Sequence, residues 1–180
     1  MKRNVLGVMT AIVAIAASAP AAQAQNPMTF GLAAGASLPM GDFGDIANTG
    51  WHGMATLGFM PPALPFGMRI DGIYNSLKVD DAFGDANARI MGVNANAIIA
   101  MPATIASPYL IGGLGMYNAK ITSDDVDLES DGETAFGINI GIGTKFNLSG
   151  FGTFAEIRYH NVFTDDQSTQ FLPITFGIMF

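Results

Sequence analysis

The sequence predicts an all-β fold: an eight-stranded antiparallel up-and-down barrel that spans a membrane, preceded by a cleavable signal peptide. Three observations carry the prediction. Aromatic pairs recur at one spacing: Trp51 and Phe59, Phe66 and Tyr74, Tyr109 and Tyr117, Phe151 and Tyr159, with Phe136 and Phe146 slightly wider. Residues an even number apart share a strand face, and eight residues of tilted strand rise about 20 Å, close to the height between the two aromatic girdles of a membrane barrel. Second, apolar residues alternate with Gly, Asn, Ser and Thr along most segments. Third, the acidic residues gather in every second connection.

The N-terminus reads as a signal peptide over residues 1–24. Met1-Lys2-Arg3 is the positive start, Val5 to Ala17 the apolar run, and Ala22-Gln23-Ala24 the cleavage site. Residues 25–180 then form one barrel domain. Only 13% of the chain is charged, against about 25% in a typical soluble domain. The absence of cysteine excludes disulfides, thiolate chemistry and a lipidated N-terminus. Without Lys2 and Arg3 the chain keeps 6 of its 8 basic residues against 15 acidic ones, a formal charge of −9, which argues against nucleic acid as a partner.

The strands follow in order. Strand one, 28–38, presents Phe30, Leu32, Ala34, Ala36 and Leu38 against Gly31, Ala33, Gly35 and Ser37. Strand two, 51–60, alternates least clearly, with Gly53 and Ala55 on its apolar face. Strand three, 66–76, carries Arg69 and Asp71 on one face. Strand four, 89–100, sets Met91, Val93, Ala95, Ala97 and Ile99 against Gly92, Asn94 and Asn96. Strand five, 108–118, opens on Pro108-Tyr109. Strand six, 134–146, sets Phe136, Ile138, Ile140, Ile142 and Phe146 against Gly137, Asn139, Gly141, Gly143 and Lys145. Strand seven, 151–161, carries Glu156 and Arg158 on one face. Strand eight, 171–180, presents Leu172, Ile174, Phe176, Ile178 and Phe180.

Connections near 61–65, 101–107 and 147–150 are short. Those near 39–50, 77–88, 119–133 and 162–170 are long and hold 13 of the 15 acids. Short turns on one side and long loops on the other mark an outer-membrane barrel, with the short turns in the periplasm. A soluble lipocalin-like barrel also alternates, but its polar face meets water and carries scattered Lys and Glu. Here that face is mostly Gly, Asn, Ser and Thr with rare charges, Arg69, Asp71, Glu156 and Arg158 among them, which suits a crowded lumen. Burial requires those four to pair, so a salt-bridge network is expected inside the barrel.

With the strands placed, the chain resembles the small outer-membrane β-barrel family of OmpX-like and OmpA-barrel-like proteins. The carriers are Ser37-Leu38-Pro39-Met40-Gly41-Asp42-Phe43, Pro108-Tyr109 with Gly112, Gly113 and Gly115, and the final Phe176-Gly177-Ile178-Met179-Phe180. The resemblance implies a Gram-negative-type outer membrane, contact with its lipids and lipopolysaccharide, and no cofactor. It makes Phe176, Ile178 and Phe180 the signal read by the barrel assembly machinery. Family members range from structural proteins to adhesins and lipid-modifying enzymes, so the likeness bears on architecture more than on function.

Two motifs bear on chemistry. Tyr159-His160-Asn161 loosely resembles the strand of the lipid A deacylase barrels, where a histidine is followed two residues later by a nucleophilic serine. Val162 stands at that place, so His160 has no hydroxyl to activate. The loop residues Asp125, Asp127, Glu129 and Asp131 with Gly132 resemble the opening of a calcium loop. Ile138 occupies the position of the bidentate Glu, so the segment is no EF-hand; weak binding of Ca2+ or Mg2+ by hard oxygen ligands is the expectation left. The reading is a non-enzymatic, monomeric outer-membrane protein with a structural role or a surface role through its acidic loops. A lipid-active enzyme, a narrow channel and a soluble exported barrel binding a small apolar ligand stay open as alternatives.

Overall fold

In the computed structural model, eight strands close into a barrel in which each pairs antiparallel with its sequence neighbour and the first pairs with the last. They are β1 (Met28–Met40), β2 (Gly50–Phe59), β3 (Phe66–Lys78), β4 (Ala86–Ala100), β5 (Ala106–Ser123), β6 (Glu133–Leu148), β7 (Phe151–Phe163) and β8 (Ser168–Met179). The structure describes residues 27–61, 64–79, 86–101, 103, 106–123, 133–148, 151–164 and 168–180. At the seam, Phe30 and Phe180 exchange backbone hydrogen bonds of 3.0 and 2.7 Å. Closure leaves no unpaired edge, which a lipid environment requires because no water is there to satisfy one.

The register fixes the bore. Paired residues lead round the barrel from Gly31 through Thr56, Asp71, Asn94, Gly115, Gly137 and Val162 to Thr169. Thr169 stands one place past the Met40–Gln170 pair, level with Gly41, so one circuit climbs ten residues. For eight strands, that stagger tilts them by about 40° and gives a Cα radius of about 8 Å. Side chains fill such a space.

The apolar face is outside. Ile140, Phe176, Met68 and Val93 are all more than 60% exposed, whereas Thr56, Asn94, Asn96 and Asn139 are buried. A soluble barrel would reverse this arrangement. The rim phenylalanines Phe59, Phe66, Phe146 and Phe151 point outwards at the turn end, and Trp51 does so at the loop end.

One expected girdle pair behaves differently. Tyr109 and Tyr117 share a face, as their spacing requires, but that face is the lumen, and each is 1% exposed. The glycines around them explain the inversion. A Cβ on Gly143 would overlap the Tyr109 ring. A Cβ on Gly92 or Gly137 would come within 2.7 or 2.8 Å of the Tyr117 ring. The rings occupy volume that side chains on β4 and β6 would otherwise take.

Several strands run further outwards than predicted. β5 reaches Ser123 and β6 starts at Glu133, so Glu133 belongs to a strand end and not to the loop. The first long connection is also structured. Gly41 takes a positive φ of 58°, which a side chain disfavours, and opens a 3-10 turn over Gly41–Asp45. The Ala47 N–H donates to the Phe43 carbonyl at 3.1 Å, and the Asn48 N–H donates to the Lys78 carbonyl at 2.7 Å. The turn is thereby folded over the mouth, with Ala47 buried and Phe43 packed on the core.

Candidate functional site: a charge cluster across the lumen

β3 and β7 lie four strands apart in a ring of eight, so they face each other across the lumen. Each carries an acid and a base two residues apart, and the period of two turns all four inwards. The long side chains meet in the middle as a closed ring. Arg69 contacts Asp71 through Nε at 2.8 Å and Glu156 through Nη2 at 2.9 Å. Arg158 contacts Asp71 through Nη1 at 2.8 Å and Glu156 through Nη2 at 2.5 Å. Each carboxylate bridges both guanidinium groups, and the formal charges cancel.

Other strands complete the ring. The Tyr109 hydroxyl on β5 donates to Glu156 Oε2 at 2.7 Å. Asn96 on β4 donates through Nδ2 to Asp71 Oδ2 at 2.9 Å. Arg69 also lies over the Phe154 ring, 5.7 Å from its centroid. The four charged side chains are at most 2% exposed, so water does not reach them. Desolvation on this scale is tolerable only because every charge has an opposite within hydrogen-bond distance.

Apolar layers close the cluster at both ends. Towards the loops lie Leu77, Ala88, Ile90, Val162 and Phe171, beneath Phe43 and Val79. Towards the turns lie Ile98, Ile111 and the Tyr109 ring, with Met60 and Ala100 packed on them. Lys145 sits at this end, 5.8 Å from the Tyr109 ring centroid.

His160 is 1% exposed in the loop-side half of the lumen. Its Nδ1 shares a hydrogen bond of 2.8 Å with the Tyr117 hydroxyl, and its ring stacks on Phe171 at 4.8 Å between centroids. Tyr117 in turn bonds Asn94. Val162, two residues on, is buried beside it and offers only methyl groups. His52 pairs through Nε2 with the Thr175 hydroxyl at 2.9 Å, again inside the wall. Both histidines are buried and held by neighbours.

The four charges and His160 stand out in the sequence, whereas their links to Tyr109, Asn96, Tyr117 and Asn94 do not. The available signal was parity: Tyr109 and Tyr117 share a face with Gly113 and Gly115, the small-residue face typical of the lumen. Of the residues expected to form an assembly signal, Phe176 and Ile178 are exposed on the outer wall, and Phe180 follows β8 at the seam. Asp125, Asp127, Glu129 and Asp131 lie outside the described residues. Among the described residues, no group of His, Asp or Glu is placed to hold a metal.

A closed eight-stranded barrel with an apolar outer wall and a paired charge cluster inside defines a small integral outer-membrane protein. The chain belongs to the outer membrane protein beta-barrel domain family, whose model matches residues 9–180. Solved structures agree on the fold. Neisserial surface protein A superposes with a TM-score of 0.66 at 15% identity, over 87% of this chain and 98% of that one. Ail, the attachment invasion locus protein of Yersinia pestis, gives 0.57 at 14% identity, over 86% and 99%. The outer membrane enzyme PagL gives 0.53 at 13% identity, over 84% and 97%. No curated protein sequence matches the chain significantly.

Proposed function

We propose that this protein is a non-enzymatic structural element of the outer membrane that also displays acidic loops to the surroundings. The observation that carries the reading is the packed lumen. Among the described residues its four-membered charge cluster is neutral, Lys145 lies apart from it towards the turns, and apolar side chains pack on the polar interior at both ends. A channel needs a continuous wet path, and an enzyme needs a nucleophile or base that substrate can reach. PagL shares the fold, but the fold does not transfer its activity. Val162 in place of a hydroxyl beside His160 argues against a deacylase-like reaction here.

Planar-bilayer recording tests the channel alternative directly. The purified barrel is expected to leave the bilayer silent across a wide voltage range. Reproducible stepwise conductance would overturn the packed-lumen reading.

The loops supply the surface role. Thirteen acids fall in the segments 39–50, 77–88, 119–133 and 162–170, most densely from Asp124 to Glu133, and like charges at such density repel one another. Millimolar calcium is expected to protect amides there from hydrogen exchange and to raise the unfolding temperature slightly. If sodium at matched ionic strength does the same, the effect is plain screening, and the proposed ligands Asp125, Asp127, Glu129 and Asp131 are not a metal site.

A further inference from the structure

Six basic residues fall among the described residues. Arg69 and Arg158 belong to the charge cluster, and Lys145 lies in the lumen. The other three, Lys78, Arg89 and Lys120, are exposed on three consecutive strands, β3, β4 and β5. Their chain neighbours Leu77, Ala88 and Ile90 are buried and Ala119 packs on the core, so the alternation turns all three outwards. The register brings them to similar heights: Ser76 is opposite Arg89, Arg89 is opposite Lys120, and Lys78 stands two residues beyond Ser76.

Like charges directly opposite on adjacent strands repel. Among the described residues no carboxylate lies within ion-pair distance of any of the three. The row is a cationic patch on the outer wall, of a sign that suits an anion in the surrounding headgroup layer.

The wall beneath is shaped. Tyr74, Met91, Asn118 and Thr134 pair across the wall two residues below Arg89 and Lys120, and the Asn118 amide donates to the Thr134 hydroxyl at 3.2 Å. Further down opens a groove of ≈ 610 Å³ lined by Gly53, Ala55, Gly72, Met91, Val93 and Met116. A Cβ built on Gly72 meets nothing within 4 Å, so the floor there is open. Trp51 and Tyr74, with ring centroids 5.4 Å apart, flank the groove where the aromatic belt marks the interface. Arg89 and Lys120 stand two residues beyond Met91 and Asn118, and Lys78 four beyond Tyr74, so tilted strands put the cations roughly 5–10 Å above that belt, among the headgroups.

We propose that this wall binds one phosphorylated lipid of the outer leaflet. Its phosphate sits among Lys78, Arg89 and Lys120, and an acyl chain lies in the groove below. The inference rests on the outer-membrane placement and not on the packed lumen, so failure of either leaves the other standing.

Trp51 is the only tryptophan and borders the groove, which makes it the reporter. The folded protein is reconstituted into phosphatidylcholine nanodiscs doped with brominated phosphatidic acid or brominated phosphatidylcholine. Phosphatidic acid is expected to quench Trp51 at a mole fraction roughly fivefold lower or less, given the attraction of even one basic residue. Lys78→Gln, Arg89→Gln and Lys120→Gln together should remove that preference while the barrel stays heat-modifiable on gels. Gly72→Leu should fill the groove and reduce quenching by both lipids. Equal quenching in the unmodified protein, or a preference that survives the triple substitution, would overturn the proposal. So would loss of the preference in millimolar inorganic phosphate at constant ionic strength, which would assign the row to a free anion.

Discussion

Replacing Glu156 by alanine is expected to destabilise the folded barrel by about 3–5 kcal/mol, the range for removing one partner of a buried ion pair. The size follows from what is left behind. Glu156 receives Arg69 Nη2 at 2.9 Å, Arg158 Nε at 2.9 Å and the Tyr109 hydroxyl at 2.7 Å. Without it, two guanidinium groups share Asp71 alone, and one positive charge is stranded in a dry interior. A neutral pair deletion should behave differently. Glu156→Leu with Arg158→Met removes opposite charges together and should cost clearly less than the single change, because a buried pair gains little over well-packed apolar groups. Urea unfolding in detergent, followed by Trp51 fluorescence, measures both. A single variant as stable as the unmodified protein would mean that water fills the lumen, and the channel reading would return.

The cluster was legible in the sequence because it is a local pattern repeated. Arg69 and Asp71, and Glu156 and Arg158, are acid–base pairs at the strand period in segments otherwise free of charge. That such residues line the lumen follows from parity alone. Tyr109 was not legible in the same way. Parity says that it shares a face with Tyr117, but aromatic rings suit a lipid interface as well as a packed interior. The decision belongs to Gly143, Gly137 and Gly92, which adjoin the two rings only once β4, β5 and β6 are paired.

The packing at the mouth was equally hidden. Phe43 and Ala47 lie in a connection whose sequence shows acids and glycines, and only the fold brings Ala47 against Val79. The row of Lys78, Arg89 and Lys120 depends on register too. Each residue reads singly as an ordinary charge at a strand end. Their similar heights follow from two hairpins, and hairpin register cannot be counted across loops of unknown conformation. Face assignments are local and survive in the sequence. Contacts between strands are not local and do not.

Phe180 should separate assembly from stability. Its backbone closes the barrel: the Phe180 N–H donates to the Phe30 carbonyl at 2.7 Å, and the Phe30 N–H donates to the Phe180 carbonyl at 3.0 Å. Deleting the residue removes both bonds, a loss of about 2 kcal/mol at typical net values. Phe180→Ala keeps the backbone bonds and removes only a half-exposed ring. If the ring is read by the assembly machinery, as the family resemblance implies, the alanine variant should refold in detergent almost as well as the unmodified chain. In cells the same variant should be largely missing from the outer membrane. The deletion should fail in cells as badly and refold somewhat less well. Paired measurements of refolding yield and of heat-modifiable protein in outer-membrane fractions decide the matter. Equal losses of the alanine variant in both settings would mean that the ring acts through packing at the seam, and Phe176, Ile178 and Phe180 would then be barrel wall with no role as a signal.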